Sequence, residues 1–334
     1  MTKEQRANGR LLIIQIPCLN EELTLPATIA DLPRQVDGFD RVEWLVIDDG
    51  STDRTVEVAL ELGVDHVVSH GYNRGLAAAY MTGLERALKL GADVIVNTDA
   101  DNQYDASGIP RLTAPILAEQ ADFVVGERPI KSISDFSPMK KLLQRFGSWV
   151  VRAFSGTSVR DAASGFRAIN RRAAVRLRVF GRYTYTMETL VQAGWEGLRV
   201  VSVPIDVNSK TRESRLVKSI PQYVFRSATT IVRTFALYKP FRFFLFLGAP
   251  FFLLGSVLVV RWGAYYVFSE TYRSRLPSLF VGLGAVMLAG QIWIVAFLAD
   301  LLSINRRLAS EVLFKQKTDE SSLDRNYEKP SNFG

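Results

Sequence analysis

Two aspartates, Asp99 and Asp101, stand two positions apart just after an apolar run at residues 94–96. In a strand, side chains two positions apart point to the same side. Two carboxylates held that close repel each other unless a positive charge lies between them. Mg²⁺ meets that need, because it is commonly held by one or two carboxylates together with substrate phosphates, and Gln103 adds a neutral oxygen nearby. The spacing therefore predicts a divalent-metal site for a phosphate-bearing ligand, with a solvated turn as the alternative.

Two more polar turns follow apolar runs upstream. The first contains Pro17, Leu19 and Glu21, and the second begins with Asp48 and Asp49. Helical patterns follow both, and strands that alternate with helices predict a parallel sheet whose ligands bind at the carboxyl ends of the strands. We therefore expect an α/β fold in which the three turns meet in one crevice, with the first two contacting a base or ribose. Taken singly, each turn is more simply explained as structural.

Five short motifs lie along the first half of the chain. They are Pro-x-x-Asn-Glu at 17–21, Asp-Asp-Gly-Ser-x-Asp at 48–53, Asn-Arg-Gly at 73–75, Asp-Ala-Asp-x-Gln at 99–103 and Arg-Asp-Ala-Ala-Ser-Gly-Phe-Arg at 160–167. In this combination the sequence resembles the inverting family 2 glycosyltransferases, and more narrowly the dolichyl- and polyprenyl-phosphate sugar synthases, over about residues 11–218. The resemblance implies a catalytic domain of the GT-A fold, which is Rossmann-like with a mostly parallel sheet. It also implies a nucleotide-diphosphate sugar (a UDP- or GDP-sugar) as donor, a polyprenyl (undecaprenyl or dolichyl) phosphate as acceptor, and Mg²⁺ or Mn²⁺ as cofactor.

The same resemblance implies roles for individual residues on the donor side. The metal ligands are Asp99, Asp101 and Gln103. Donor contacts are implied at Pro17, Leu19, Glu21, Asp48, Asp49, Asn73, Asp99, Ala100, Glu188, Arg212 and Arg215. Glu188 has a simpler alternative, which is a favourable negative charge near a helix N-terminus.

On the acceptor side, the resemblance implies that the lipid phosphate is held by Arg128, Arg145 and Ser148, and that the catalytic group is Asp101, Arg128, Arg145 and Asp161. Two interpretations of Asp161 stay open: it contacts the sugar or the acceptor, or it pairs with Arg160 or Arg167. Gly165 would allow a tight backbone near a ligand.

One basic segment departs from the relatives. They commonly close the donor site with Arg-x-x-Gly-x-Ser-Lys after a Pro-Ile strand. Here the Pro-Ile pair at 204–205 is followed by a segment at 210–216 that has no glycine and carries Arg215 in place of the lysine. Arginine keeps a phosphate-binding cation and adds a bidentate fork. Whether Lys210 or Arg212 takes the first basic position stays open, and such a loop could close over the diphosphate.

Residues 139–154 have apolar side chains at helical spacing, and the opposite side carries Lys141, Arg145, Ser148 and Arg152. The pattern fits an amphipathic helix in the headgroup layer whose basic side reaches phosphates. It fits a core helix with a solvated polar face at least as well, and the resemblance favours the first. A juxtamembrane amphipathic helix is expected at residues 219–240.

Charge is unevenly divided along the chain. Residues 1–138 hold 12 Lys and Arg against 22 Asp and Glu, whereas residues 139–242 hold 20 against 5. No nucleic-acid motif accompanies the basic half, and basic residues just before apolar spans fit an anionic membrane leaflet better. Cys18 is the only cysteine, which excludes an internal disulfide. His66 and His70 are too few for a histidine-based metal site, and we assign them no chemistry.

Two apolar stretches follow the basic half. Residues 243–260 hold no charge over 18 positions, and residues 279–299 hold none over 21. A helix of about 20 apolar residues crosses the hydrocarbon core, so we expect transmembrane helices at 241–268 and 278–302. The first has a buried soluble helix as its alternative.

Lysine and arginine residues flank the spans on their outer sides, which places both ends of the chain in the cytoplasm by the positive-inside rule. Arg273 and Arg275 in the linking loop weaken this argument without reversing it. The polar tail at residues 1–10 has no apolar signal segment. Residues 303–334 are expected to form a cytoplasmic tail that is disordered from residue 315. The expected location is the inner (cytoplasmic) membrane, with the catalytic domain on the cytoplasmic side.

The resulting hypothesis is an inverting transfer. A lipid phosphate is already anionic near neutral pH, so its oxygen attacks the anomeric carbon without a dedicated general base, and a β-linked lipid-phosphate sugar forms. The alternatives are a glycosyltransferase acting on another membrane acceptor in polysaccharide or lipid synthesis, and a non-catalytic membrane scaffold. A processive polysaccharide synthase is disfavoured because Gln-x-x-Arg-Trp is absent, and a nucleotidyltransferase because no glycine-rich basic loop follows the first strand. The two spans are compatible with a homo-oligomer.

Overall fold

The computed structural model of the chain describes residues 9–129, 155–179, 185–208, 240–268 and 276–327, and the single positions 148, 152, 229, 232 and 236. Two compact units divide between Ile231 and Val232. The first unit contains a β-sheet with helices, and the second contains two long helices.

The described part of the first unit contains seven strands in one sheet. The strands are β1 (Leu11–Cys18), β2 (Arg41–Asp48), β3 (His66–Ser69), β4 (Val94–Asn97), β5 (Phe123–Glu127), β6 (Arg167–Asn170) and β7 (Val200–Pro204). The helices whose bounds are described between them are α1 (Leu25–Asp31), α2 (Thr55–Glu61), α3 (Leu76–Lys89), α4 (Ile109–Leu117), α5 (Arg171–Arg176) and α6 (Thr186–Trp195). A short 3₁₀ helix, Ala106–Gly108, precedes α4.

The strand order is β3-β2-β1-β4-β6-β5-β7. The first four strands are parallel to one another, and β5 is parallel to β7. β6 is antiparallel to both of its neighbours. The prediction of a mostly parallel α/β sheet is therefore confirmed. Because β2, β1 and β4 are adjacent and parallel, their carboxyl ends lie side by side, as the three polar turns require.

β1 lies in the interior of the sheet, between β2 and β4, and its sequence is almost wholly apolar. All eight of its residues are buried, which is typical of a parallel strand covered on both faces. Gln15 is a polar residue within this apolar strand, and its side-chain amide donates to Asn97 Oδ1 on β4 at 2.9 Å. α3 approaches this strand closely, since a Cβ added to Gly83 would lie 2.5 Å from Gln15 Oε1.

The described part of the second unit contains α7 (Pro240–Phe268) and α8 (Leu276–Tyr327). Pro240–Phe268 and Leu276–Asn305 are long and apolar enough to cross a membrane, with mean hydropathies of 2.5 and 2.1. Only 11% and 17% of their most apolar windows are buried, whereas the core helix of a soluble protein would be mostly buried. Both helices are therefore candidate membrane spans by length, composition and exposure.

α8 extends well past its apolar part and ends at Tyr327. The helix thus includes residues 315–327, where the sequence leads us to expect disorder, and residues 328–334 lie outside the described residues. Residues 306–317, which lead into this segment, include arginine, leucine, alanine, glutamate, lysine and glutamine, which are strong helix formers. The segment also continues an existing helix and so avoids the cost of nucleating a new one.

Glycines set the close approach of α7 to α8. A Cβ added to Gly255 would lie 2.7 Å from the carbonyl oxygen of Gly282, and one added to Gly248 would lie 2.5 Å from Trp293 Nε1. The same indole N–H donates to the Leu245 carbonyl at 3.3 Å. Small residues at such contacts let two helix backbones pack closely, as they do in membranes.

We predict that Gly255→Val weakens this pairing by about 1–3 kcal/mol, because the added side chain must displace the backbone of α8. Gly284→Val is the matched control, since a Cβ at Gly284 meets nothing within 4 Å. The measurement is the midpoint of thermal unfolding of the full chain in detergent. Equal losses in the two variants would contradict the role of the close contact.

Candidate active site

The loops after β1 and β2 are tied together by hydrogen bonds. Asn20 donates its backbone N–H to Ser51 Oγ at 2.9 Å and accepts from the Thr52 N–H at 2.8 Å. Glu21 donates its N–H to Thr55 Oγ1 at 2.8 Å. The two loops therefore form one support at the carboxyl edge of the sheet.

Asp48 closes the turn after β2. Its Oδ1 accepts from the Ser51 N–H at 2.9 Å and its Oδ2 from Ser69 Oγ at 2.6 Å. The residue is 2% exposed. Both oxygens thus have partners within the protein, and donor binding by Asp48 stays a prediction.

Asp49 is hydrogen-bonded to His70, for which we expected no chemical role from the sequence. Its Oδ1 lies 2.8 Å from His70 Nδ1, and the His70 Nε2 lies 3.0 Å from Thr82 Oγ1 on α3. Asp49 also accepts the N–H groups of Arg74 and Gly75, at 2.9 and 2.8 Å. Asp49 and His70 therefore anchor the start of α3. The partners are 21 residues apart, so no local pattern marks the pair. His66, by contrast, lies on β3 and contacts Glu43.

We predict that Asp49→Ala destabilises the protein by about 3 kcal/mol, since it leaves two partly buried N–H groups and a buried histidine without their acceptor. Asp101→Ala should cost less than about 1 kcal/mol, because Asp101 is half-buried in a surface turn. Denaturant unfolding of both variants in detergent measures the difference. Equal stabilities would mean that the Asp49 contacts contribute nothing to folding.

Asp99 and Asp101 lie beyond the strand rather than in it, because β4 ends at Asn97. The alternation of strand side chains therefore does not bring them together, and that part of the sequence argument is wrong. A turn does so instead. Asp101 Oδ1 accepts the Gln103 N–H at 3.2 Å, and Asn102 adopts a positive φ of 53°. Aspartate and asparagine favour such turns because their short side chains bond nearby backbone groups.

Two contacts with α1 fix this turn. The carbonyl oxygen of the buried Ala100 accepts a hydrogen bond from Thr28 Oγ1 at 3.0 Å. Asn102 Nδ2 donates to Asp31 Oδ2 at 2.8 Å. On its other side, Asn208 donates its N–H to the Gln103 carbonyl at 3.0 Å and its side-chain amide to the Asn102 carbonyl at 3.1 Å. The turn is therefore held from both sides.

Burial, reinforced by the charge of Asp101, raises the pKa of Asp99 to about 7, although Arg128 and Arg167 oppose the shift. Two carboxylates that resist being ionised together suit a divalent cation, which removes that penalty. No group of three or more His, Cys, Asp or Glu side chains in the described part of the chain is arranged to hold a metal. A metal at Asp99 and Asp101 would therefore take further oxygens from a ligand, as Mg²⁺ sites commonly do.

The raised pKa of Asp99 predicts that protons compete with the metal. Below about pH 7 the protonated carboxyl is the form that the metal-free fold favours, and only the ionised form binds metal. The apparent Mn²⁺ affinity should fall about tenfold for each pH unit below that value and level off above it. Titration calorimetry at several pH values measures this. A constant affinity between about pH 5.5 and pH 8 would contradict it.

Arg128 and Asp161 form a buried ion pair. Arg128 Nε donates to Asp161 Oδ2 at 2.7 Å, and Nη2 donates to Oδ1 at 3.0 Å. The side chains are 10% and 0% exposed. The pairing expected for Asp161 with Arg160 or Arg167 is instead made with Arg128, and Arg160 lies 3.9 Å from Glu127. Burial disfavours the Arg128 cation, but the neighbouring oxygens of Tyr104 and Asp161 outweigh it and raise the pKa of Arg128.

Ser148 lies beside this pair. It is 3% exposed, and its Oγ accepts the Ala162 N–H at 3.3 Å. The structure therefore brings Ser148 to the loop that carries Asp161. Arg145 lies outside the described residues. Most of the helix expected at residues 139–154 also lies outside them, and so does most of the helix expected at residues 219–240. The basic residues Lys210, Arg212 and Arg215 also lie outside them, and Asn208 is the last described residue before that segment.

The other predicted donor residues are spread over the same edge. Pro17 is buried in β1 opposite Ile47, and Leu19 is half-buried just after the strand. Glu21 is buried and accepts Thr24 Oγ1 at 2.6 Å. The remaining two differ in exposure, since the loop residue Asn73 is exposed and Glu188 is buried in the first turn of α6.

Gly165 lies directly against the turn that carries Asp99 and Asp101. A Cβ added to it would lie 3.0 Å from both carboxylate oxygens of Asp99 and 3.0 Å from the Tyr185 hydroxyl. Its N–H donates to the Tyr104 hydroxyl at 2.8 Å. Sequence reasoning missed both tyrosines, because their partners lie far away along the chain.

Comparison with known proteins identifies relatives of this chain. The sequence profile of Glycosyl transferase family 2 matches residues 13–178. A UDP-N-acetylglucosamine–dolichyl-phosphate N-acetylglucosaminyltransferase from Methanococcus voltae is 31% identical, over 59% of this chain and 85% of its own length. An undecaprenyl-phosphate mannosyltransferase from Micrococcus luteus is 30% identical, over 62% of this chain and 87% of its own length.

Among solved structures, a glucosyl-3-phosphoglycerate synthase from Mycobacterium tuberculosis, in complex with Mn²⁺, UDP-glucose and phosphoglyceric acid, superposes with a TM-score of 0.55. The match covers 70% of this chain and 81% of the other, at 21% sequence identity. At that identity the likeness establishes the fold alone, and it confirms the expected GT-A architecture.

Proposed function

This chain belongs to glycosyl transferase family 2 and is a glycosyltransferase, and we propose that it transfers a sugar from a UDP- or GDP-sugar to a polyprenyl phosphate. The attack inverts the anomeric carbon, and the product is a β-linked lipid-phosphate sugar. Two relatives whose names specify a dolichyl-phosphate and an undecaprenyl-phosphate acceptor support this choice of acceptor. Membership of this family argues against the non-catalytic membrane scaffold that the sequence left as an alternative.

The observation that carries the proposal is the placement of opposite charges around one turn. The Asp99 carboxylate and the Arg128 guanidinium lie within electrostatic reach of each other. The acidic side suits a metal-bound diphosphate, and the cationic side suits a second anion. A reaction that joins two phosphate-bearing substrates needs both, since the two substrates repel each other.

Arg128 is the residue of this chain that we assign to the acceptor phosphate. Asp161 holds its Nε and Nη2, which fixes the plane of the guanidinium. Its third nitrogen, Nη1, makes neither of those bonds and supplies the donors for a phosphate oxygen. Because the group is already immobilised, binding the phosphate costs little further side-chain entropy, and the nucleophilic oxygen is oriented for attack. Ser148 and Arg145 are proposed to complete this phosphate site.

On the donor side, Asp99, Asp101 and Gln103 are proposed to hold Mg²⁺ or Mn²⁺. The bound metal would act as a Lewis acid for the departing nucleotide diphosphate. Asp49 acts through the loop that it anchors, which presents Asn73 to the donor. Arg212 and Arg215 are proposed to contact the diphosphate. No general base is required, because the attacking oxygen is already anionic near neutral pH.

The two candidate spans fit an acceptor that resides in a bilayer. We propose a multi-pass protein of the inner (cytoplasmic) membrane with the catalytic unit and both termini on the cytoplasmic side. Nucleotide sugars would then reach the donor site from the cytoplasm. The homo-oligomer suggested for the sequence is a further part of this proposal.

We predict transfer of radiolabelled sugar to undecaprenyl phosphate in detergent with Mg²⁺ or Mn²⁺. UDP-glucose, UDP-N-acetylglucosamine and GDP-mannose are tested separately, and the donor that labels the lipid phase is identified. Asp101→Ala should lower the rate about 100-fold or more, since it removes charge stabilisation of the leaving group. A chelator should abolish transfer.

The matched control is Asp37→Ala, which removes an exposed aspartate outside the site and should leave the rate unchanged. Label that reaches a different membrane lipid or a glycan would replace the acceptor with the alternative of another membrane acceptor. Label that reaches only water-soluble phosphates would contradict a lipid acceptor altogether. Full activity of Asp101→Ala would overturn the metal site.

A further inference from the structure

Gly165 lies beside the turn that carries Asp99 and Asp101, and both its backbone N–H and its carbonyl oxygen are hydrogen-bonded to side chains. We propose that the Tyr104 hydroxyl and the Asn97 amide clamp Gly165, and that this clamp sets the separation between Asp99 and the Arg128–Asp161 pair. Tyr104 and Asn97 are then positioning residues for sugar transfer. The inference deepens the function proposed above and rests on it.

Tyr104 holds the backbone N–H of Gly165. The bond from Gly165 N to the Tyr104 hydroxyl is 2.8 Å long and buried. The Tyr104 ring stacks on Phe166 with a centroid distance of 5.1 Å. Tyr104 is 3% exposed and Phe166 is 0% exposed, so the hydroxyl has a fixed position on the rigid turn that begins at Asp99.

Asn97 holds the carbonyl oxygen of the same glycine. Its Nδ2 donates to Gly165 O at 2.9 Å and to the Tyr185 hydroxyl at 2.9 Å. Its Oδ1 accepts from Gln15 at 2.9 Å, which determines the orientation of the amide. Tyr185 in turn stacks on Tyr80, with ring centroids 3.9 Å apart. Both peptide groups that flank the Gly165 Cα are therefore bonded to buried side chains.

The position of Gly165 is transmitted to Asp161 through a short, rigid loop. Arg167 donates to the carbonyl oxygens of Ala162 and Ser164, at 2.9 and 2.7 Å. Arg167 is itself 1% exposed. The Ser164 N–H donates to the Asp161 carbonyl at 3.3 Å. A displacement of Gly165 therefore moves Asp161, and with it the guanidinium that Asp161 holds.

A side chain larger than that of glycine would be crowded at this place. A Cβ would lie 3.0 Å from each oxygen of the Asp99 carboxylate, so that carboxylate would have to shift by a few tenths of an ångström. The loop that carries Asp161 thus lies directly against the carboxylate proposed to bind metal. Reacting groups misplaced by about 1 Å lose about 100-fold in rate, which makes the contact a means of setting that distance.

The first test compares Tyr104→Phe with Tyr80→Phe. Each removes one hydroxyl from a buried tyrosine, and of these two hydroxyls it is that of Tyr104 that accepts the Gly165 N–H. For Tyr104→Phe we expect kcat to fall about tenfold, with Mn²⁺–UDP affinity within about twofold of the wild type. Its unfolding midpoint should match that of Tyr80→Phe, whose kcat should be unchanged. An unchanged kcat in Tyr104→Phe would overturn the clamp. So would a fall in kcat accompanied by an unfolding midpoint below that of Tyr80→Phe, since lost stability would then explain it.

The second test needs no acceptor. Gly165→Ala should weaken Mn²⁺ binding about tenfold, measured by calorimetry, because it displaces Asp99. Gly284→Ala is the control, since its added methyl in α8 would meet nothing within 4 Å. Wild-type Mn²⁺ affinity in Gly165→Ala would refute the contact with Asp99.

These tests separate the clamp from the proposed acceptor. If the wild type labels no lipid, the function proposed above fails, and kcat is then taken from hydrolysis of the donor. The Mn²⁺ comparison of Gly165→Ala with Gly284→Ala decides the contact with Asp99 in either case. Lipid transfer in the wild type, together with unchanged rates in Tyr104→Phe, would retain the function and reject the clamp.

Discussion

The repulsion between Asp99 and Asp101 is the constraint on which the rest of the site depends. A buried strand delivers both carboxylates into a tight turn, where burial and mutual charge oppose their joint ionisation. A fold retains such a local conflict only where its surroundings compensate for it. Here α1 holds the turn from one side and Asn208 from the other. Two buried arginines, Arg128 and Arg167, supply positive charge from a third direction.

The two arginines serve different ends. Arg167 is bonded to neutral oxygens, so its charge acts at a distance while its hydrogen bonds shape the loop. Arg128 is bonded to a carboxylate and retains donors for a ligand. Both are held in place before any substrate arrives. A site organised in this way loses little free energy to reorganisation when charge develops during reaction.

The sequence was sufficient to predict the parallel half of the sheet, because β1, β2 and β4 are apolar runs that end in polar turns. It did not predict β6, a four-residue strand that starts at the buried Arg167. It also missed His70 and Tyr104, which are 21 and 61 residues from the groups they bond. Local patterns carry no information on such pairs. The site residues that motifs identified lie in short turns, where residue type alone restricts the backbone.

The reversed direction of β6 has a consequence for how this enzyme can diversify. β5 ends at the ligand edge of the sheet, and because β6 runs antiparallel, it begins at that same edge. The chain between Glu127 and Arg167 therefore leaves and re-enters the scaffold on one side. Its length and composition can change without altering the register of any strand. The residues that we propose for the acceptor phosphate, Arg128, Arg145 and Ser148, all lie in this one segment, whereas the residues that we propose for the metal lie on the turn after β4. Under the proposed function, a change of acceptor would therefore need changes in this segment and none in the strands.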